Sequence, residues 1–380
     1  MNYINDRVKS IEISGIRKFS NLVAPYKDVI SLTIGQPDFP TPLHIKEAAK
    51  KAIDEDYTVY THNAGFIAVR EAACQYVKKK YHLSYNPADE VIVTIGASEA
   101  IDIALRTILT EDCEVIIPAP VYPGYEPIIT LSGAKPVYAD VTNNDFRLTA
   151  DILEKYITNK TRCLILTYPS NPTGVTLSQD ELEQLAKLIK KHNIYVIADE
   201  IYSELVFEQS HTSIASYLED QTIVINGLSK SHSMTGWRIG FLFAKKELCQ
   251  QILKVHQYNV SCASSISQMA ALAALTDGFN DAAPMREEYK RRRDYVYGRL
   301  QDMHLDVVKP DGAFYFFVKL PHGYDSSFDF ALKLAEEGKV AVVPGSAFTT
   351  YGEGYFRISY AYSMENLQQA LDRLQTFLNK

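Results

Sequence analysis

Several residues able to do chemistry stand where apolar runs of the sequence end. VIVTI runs into Gly96-Ala97-Ser98, YVIADE carries Asp199, and TIVING runs through Leu228-Ser229 into Lys230. Arg238 follows eight residues later, in MTGWRIG. A lysine against buried apolar surface has its pKa pushed down, which is what a nucleophilic amine requires. Taken singly, Lys230 also reads as an exposed loop lysine. Asp199 at a strand end needs a cationic or hydrogen-bonding partner to stay ionised; a helix cap or structural ion pair is its other reading. Arg238 offers a planar fork for phosphate or carboxylate. A small Gly-containing turn that opens a helix presents free N–H groups to an anion, although Gly and Ser also serve as simple caps. Tyr168 to Gly174, YPSNPTG, is rich in turn residues and by itself is a tight loop. Gathered at one edge of a sheet, turn, carboxylate, lysine and arginine form a site for an anionic, nitrogenous cofactor.

The elements that must position these residues follow from apolar spacing. From about Val91, short Val- and Ile-rich runs alternate with amphipathic segments: VIVTI (91–95), EVIIP (114–118), KPVYADV (135–141), CLILTYP (163–169), YVIADE (195–200), TIVING (222–227) and GFLFA (240–244). Runs apolar on both faces suit strands covered by helices on each side, so the expectation is an α/β fold with a mostly parallel central sheet. Such sheets bind ligands beyond the carboxyl ends of their strands. Segments 43–55, 67–81, 97–109 and 179–193 have helical spacing, and 1–30 reads as an arm with a short helix. After about residue 280 come a long helix (281–303), strand-like DVVKP and AFYFFVKL, a helix near 326–338, VAVVPG, YFRISYA and a final helix from Met364. This order reads as a smaller α+β domain. The expected division is an arm and part of the small domain over 1–45, a large domain over 46–280 and a small domain over 281–380.

A chain of 380 residues suits one large domain plus a smaller one, and 46% apolar residues suffice for a sizeable core. A net charge of −7 without a like-charged block gives no reason to expect nucleic-acid binding. The densest basic run, Lys290 to Arg293, reads as a solvated helix face paired with Glu287 and Glu288. Five scattered cysteines without a CxxC pair argue against a disulfide framework or structural zinc. His62, His232 and His256 lack metal-ligand spacing, so no metal is expected. The N-terminal residues mix charges too early for a secretory signal, and no apolar run is long enough to span a bilayer. A soluble, reduced, cytoplasmic protein is expected. No GxGxxG run occurs, which leaves a nicotinamide dehydrogenase with little support.

These segments resemble the fold-type I pyridoxal-phosphate aminotransferases, classes I and II, over nearly the whole chain. The resemblance rests on GLSKSHSMTGWRIG (227–240), NPTG (171–174), DEIYSEL (199–205), IGQPDFPTP (34–42), YTHNAG (60–65), GASEAI (96–101) and FRIS (356–359), in order and spacing. It implies that Lys230 stands at the Schiff-base position and later shuttles a proton, and that Asp199 pairs with the pyridine nitrogen. It implies that Asn171 and Tyr202 bond the ring's phenolic oxygen and that Tyr122 stacks on the ring. Gly96, Ala97, Ser98, Ser229 and Arg238 would hold the phosphate. Arg357 would grip the substrate α-carboxylate, with Gly35 and Asn171 nearby, and Tyr60 would reach the phosphate of a neighbouring subunit, making a homodimer with shared sites. The implied activity is ping-pong transfer of an amino group between an amino acid and a 2-oxo acid. Closer still, the chain resembles the Bacillus-type N-acetyl-L,L-diaminopimelate aminotransferases of lysine biosynthesis, with 2-oxoglutarate as the second partner.

Rival readings share the fold or its outline. Aspartate and aromatic aminotransferases use the same catalytic motifs, and a carbon–sulfur β-lyase could use the same cofactor. An effector domain of a transcription regulator would carry a DNA-binding module ahead of the match, which here starts within the first few tens of residues. Met234 and Trp237 are expected to pack their loop against the sheet, and Tyr351 and Tyr355 to line the substrate pocket.

Overall fold

The computed structural model describes residues 3–380. Its strands are β1 (Ile30–Ser31), β2 (Val91–Thr94), β3 (Glu114–Ala119), β4 (Lys135–Asp140), β5 (Thr161–Leu166), β6 (Tyr195–Asp199), β7 (Thr222–Gly227) and β8 (Gly240–Phe243), followed by β9 (Tyr315–Lys319), β10 (Val340–Ala341), β11 (Val343–Pro344) and β12 (Tyr355–Ser359). Seven of them form the central sheet in the order β2-β8-β7-β6-β5-β3-β4. Pairing is parallel from β4 through β7, while β8 runs antiparallel to both its neighbours. All residues of β2, β7 and β8 are buried, as expected of strands covered on both faces.

Each covering helix follows from its own sequence. In the helix Gln179–His192, Leu182, Leu185, Ala186 and Ile189 form one buried stripe at helical spacing. Ser178 Oγ accepts from the Glu181 N–H at 3.2 Å and Glu181 Oε2 accepts from the Ser178 N–H at 2.7 Å, a reciprocal cap. Asn193, at φ 52°, closes the helix in the left-handed conformation and turns the chain into β6. This β5-helix-β6 crossover sets where Asp199 emerges, at the carboxyl end of β6.

The C-terminal part builds a three-stranded antiparallel sheet, β11-β12-β9, and β1 joins β10 in a parallel pair. Three expectations are corrected here. DVVKP forms no strand: only Val307 bridges Val318, since Pro310 has no N–H with which to extend a ladder. VAVVPG divides, with Val340–Ala341 on β1 and Val343–Pro344 on β12. The basic run on the helix Ala282–Asp302 is only in part a solvated face: Arg291 stays exposed, whereas Arg292 and Arg293 are buried. Arg293, 1% exposed, donates to Glu208 at 2.6 Å, to Asp294 at 2.8 Å and to the Pro310 carbonyl at 3.2 Å. Arg292 grips Asp38 through two bonds of 2.8 and 2.9 Å and also bonds Glu288. Two arginines of the run are therefore buried, and they reach carboxylates that stay partly exposed and, for Arg293, a backbone carbonyl. Glu288 does pair with the run as expected; Glu287 contacts Arg286 instead.

Candidate active site

A cavity of about 350 Å³ opens where the carboxyl ends of the central strands face the C-terminal sheet. Lys230, Asp199, Asn171, Tyr202, Ser229 and Arg238 line it, together with Gly35, Ala97, Ser98, Tyr122 and Arg357. The fold therefore brings residues from seven separate segments to one place. Gly96 lies directly behind Ala97, and Tyr60 stands apart, 86% exposed on the outer surface.

Lys230 Nζ donates to the Gly35 carbonyl at 2.7 Å. Burial lowers its pKa to about 8, helped by the positive charges of Arg357 and Arg238 and opposed by Asp199. Asp199 is 6% exposed, with Oδ2 accepting from the Tyr125 hydroxyl at 2.7 Å and Oδ1 accepting from the Ile201 N–H at 3.2 Å. Burial nevertheless raises its pKa above the usual carboxylate value, the two hydrogen bonds only partly opposing that. Lys230 favours its charged form only from a distance, and no cation contacts this carboxylate among the described residues.

Arg357, 1% exposed on β12, is clamped between the rings of Tyr315 and Phe348, at 4.5 and 4.9 Å from their centroids. Nη1 donates to Asn171 Oδ1 at 2.8 Å and Nη2 to the Thr33 carbonyl at 2.6 Å. Its Nε is buried with no acceptor among the described residues. This deeply buried guanidinium thus meets two neutral acceptors and no carboxylate among the described residues.

The turn after β2 is shaped by close approach. Gly96 has φ +76°, and a Cβ there would lie 2.7 Å from Arg238 Nη2. Arg238, itself at φ 50°, donates from Nη1 to the Thr235 carbonyl at 3.0 Å, which directs the guanidinium toward the N-terminus of the helix Gly96–Ile108. Free N–H groups, a helix N-terminus and an arginine converge as an anion cradle.

Comparison with known proteins now identifies the family. The family model of the class I and II aminotransferases matches residues 27–374. A Bacillus subtilis (strain 168) protein named as a probable N-acetyl-LL-diaminopimelate aminotransferase is 62% identical over 99% of this chain and 96% of its own. An aspartate aminotransferase of Pyrococcus abyssi (strain GE5 / Orsay) is 42% identical over 99% of this chain and 98% of its own. The crystal structure of an aromatic aminotransferase from Pyrococcus horikoshii OT3 superposes with a TM-score of 0.90 at 41% identity, covering 95% of this chain and 98% of that one. The chain belongs to the class I and II aminotransferases. It is a pyridoxal-phosphate-dependent transferase of the α/β, fold-type I architecture.

The aminotransferase cavity fits that cofactor on its own chemistry. It offers a buried amine of lowered pKa, a buried carboxylate short of a cation, an anion cradle that a Cβ at Gly96 would fill, and an orphaned Arg357 Nε. Two further tyrosines belong to it that sequence reasoning did not single out. Tyr125 opens the helix Tyr125–Leu131, three residues after Tyr122 in the same PVYPGY run, and that proximity was its only signal in the sequence. Tyr315, whose hydroxyl meets that of Tyr202 at 2.7 Å, sits in the apolar run AFYFFVKL, where nothing distinguishes it from core aromatics. Tyr351 and Tyr355 are corrected in the other direction. Tyr355 stacks on Phe317 at 4.9 Å and Tyr351 leans on Tyr138 at 6.2 Å, so packing takes both rings and neither lines the cavity. Met234 is fully buried in the core, and Trp237 Nε1 donates to Thr41 Oγ1 at 3.1 Å, both in packing roles. His62 Nδ1 accepts from the Ala64 N–H at 3.0 Å, and His232 lies between Ser231 Oγ and the Gly278 carbonyl.

Proposed function

We propose that this aminotransferase exchanges an amino group between N-acetyl-L,L-diaminopimelate and 2-oxoglutarate, in lysine biosynthesis. The observation that carries the reading is the 62% identity, over 99% of the chain, to the Bacillus protein named for that substrate.

The residue roles proposed are these. Ala97, Ser98, Ser229 and Arg238, with Gly96 giving room, hold the cofactor phosphate. Tyr122 would pack against the cofactor, and Asp199 would hold its cationic ring nitrogen. Tyr202 and Asn171 meet the phenolic oxygen; Asn171 Oδ1 is taken by Arg357, which leaves Nδ2 as its donor. Bound pyridoxal phosphate supplies the electron sink that lets an amino acid's Cα–H bond break. Lys230 Nζ, with a pKa of about 8, carries a usable neutral fraction near pH 7 and so can both attack a carbonyl carbon and take up a proton. Arg357 holds the α-carboxylate, which fixes the orientation of the Cα–H bond relative to Lys230 Nζ. Asp199, kept anionic by Tyr125 and a cationic ring nitrogen, preserves the charge on that nitrogen.

We further propose a cytoplasmic homodimer of chains divided near residues 45 and 280, with Tyr60 reaching the partner's site. Val59, Tyr60 and Tyr258, exposed at 73%, 86% and 88%, are apolar surface suited to a partner, and five free thiols, four of them buried, suit a reducing compartment. No helix among the described residues is long and apolar enough to cross a membrane.

The test is an absorbance spectrum of the purified protein before and after addition of single amino donors. The cofactor band is expected to shift with N-acetyl-L,L-diaminopimelate at far lower concentration than with aspartate or tyrosine. A stronger response to aspartate or an aromatic donor overturns the substrate assignment and leaves the aminotransferase reading standing.

A further inference from the structure

One buried ion-pairing group has no task in the reaction described above. His256, 0% exposed on the helix Lys246–Val260, lies between two oxygens: Glu99 Oε1, 2.7 Å from Nδ1, and the Asn63 carbonyl oxygen, 2.9 Å from Nε2. Both partners are acceptors, a carboxylate and a carbonyl. A neutral imidazole has a single N–H, so satisfying both bonds requires a second proton, on the ring or on Glu99. In either arrangement the pair carries no net charge.

The place of this pair is specific. Glu99 is the residue immediately after Gly96-Ala97-Ser98, and its other oxygen accepts from the Ile95 N–H at 2.6 Å. The carboxylate therefore braces the anion cradle from behind. A bare Glu99 anion there would oppose a phosphate held by the cradle, in surroundings too buried for water to screen it. On its other side the imidazole holds the segment that carries Tyr60, and Asn63 Nδ2 anchors that segment again at the Ser261 carbonyl, 2.8 Å away.

We propose that His256 is a positioning residue for the cofactor phosphate: it cancels the charge of Glu99 behind the Gly96–Ser98 turn and keeps the Tyr60 segment in register with that turn. The proposal deepens the reading of the turn as the phosphate site and rests on it.

The test compares pyridoxal phosphate with pyridoxal, which lacks the phosphate, as ligands of the full-length protein stripped of cofactor. His256→Phe should raise the Kd for pyridoxal phosphate about tenfold or more and leave that for pyridoxal within about twofold. The double variant Glu99→Gln/His256→Phe should recover most of the loss, because the uncompensated charge is gone. His256→Gln, which preserves polarity without a ring that can share the second proton, should show the same selectivity and serves in place of His256→Phe if circular dichroism shows that variant unfolded. Equal weakening toward both ligands, or no recovery in the double variant, overturns the charge-cancelling role. Wild-type protein that binds pyridoxal as tightly as pyridoxal phosphate overturns the phosphate reading of the turn itself, so the two failures are told apart.

Discussion

Arg357 Nη1 donates to Asn171 Oδ1 across 2.8 Å, which ties strand β12 of the C-terminal sheet to the NPTG loop after β5. Nε of the same guanidinium is buried with no acceptor among the described residues, which supports the proposed role of Arg357 in holding a carboxylate. Arg357→Ala should lower kcat/KM for amino acids by ~2–5 kcal/mol. Arg357→Lys should recover only part of this, since an ammonium cannot bond a carboxylate through two parallel N–H groups. An unchanged kcat/KM in either variant removes Arg357 from substrate binding.

Lys230 sets a pH dependence whose sign can be worked out. In the proposed role the neutral amine is the nucleophile, and with a pKa of about 8 its population rises through neutral pH and saturates above. Cofactor capture by stripped protein should therefore speed up about tenfold per pH unit below that value and level off beyond it. Arg357 helps to lower this pKa, so Arg357→Ala should move the midpoint to higher pH. Stopped-flow absorbance reads both. A flat profile, or a midpoint unmoved by Arg357→Ala, refutes the coupling. Lys230→Ala should abolish the visible band of lysine-linked cofactor outright.

Tyr125 is tested through Asp199. Its hydroxyl is one of two hydrogen bonds that oppose the burial penalty on that carboxylate. Tyr125→Phe should cost roughly 1.5–3 kcal/mol in kcat, the value of a hydrogen bond to a charged group. The acid limb of the pH–rate profile should move to higher pH, because Asp199 then protonates more readily. Asp199→Ala should reduce turnover by orders of magnitude while Tm changes little; wild-type turnover in that variant refutes the role.

Gly35 leaves the space that the Tyr315 hydroxyl occupies. A Cβ on Gly35 would lie 2.2 Å from the Tyr315 hydroxyl oxygen. Gly35→Ala should destabilise by ~1–3 kcal/mol in chemical denaturation, the usual cost of overpacking. Adding Tyr315→Phe should restore part of this loss. Strict additivity of the two changes would show that they do not meet.

Much of the cavity lining was legible in the sequence. Lys230, Asp199, Arg238 and the Gly96–Ser98 turn all sit at or near ends of runs whose apolar pattern marks them as buried strands, and all reach the cavity. That inference works because pleat and burial are local properties, and a parallel sheet sends every carboxyl end to one edge. The same locality explains the failures. Apolar runs predicted a strand at DVVKP, but its pairing with β9 stops at the single Val307–Val318 bridge before Pro310. Charge alone predicted that Lys290 to Arg293 face water, but Arg293 meets Glu208 and Pro310, distant in sequence.

The sequence by itself determined the α/β order, the family and most of the chemical groups, because periodicity and motif spacing are written along the chain. Only the tertiary structure decided which groups touch: Tyr125 on Asp199, Tyr315 against Gly35 and Tyr202, and His256 on Glu99. The His256–Glu99 pair spans 157 positions. Nothing in the local pattern of either residue carries information about the other, since a hydrogen bond depends on separation in space, which only the packed fold sets.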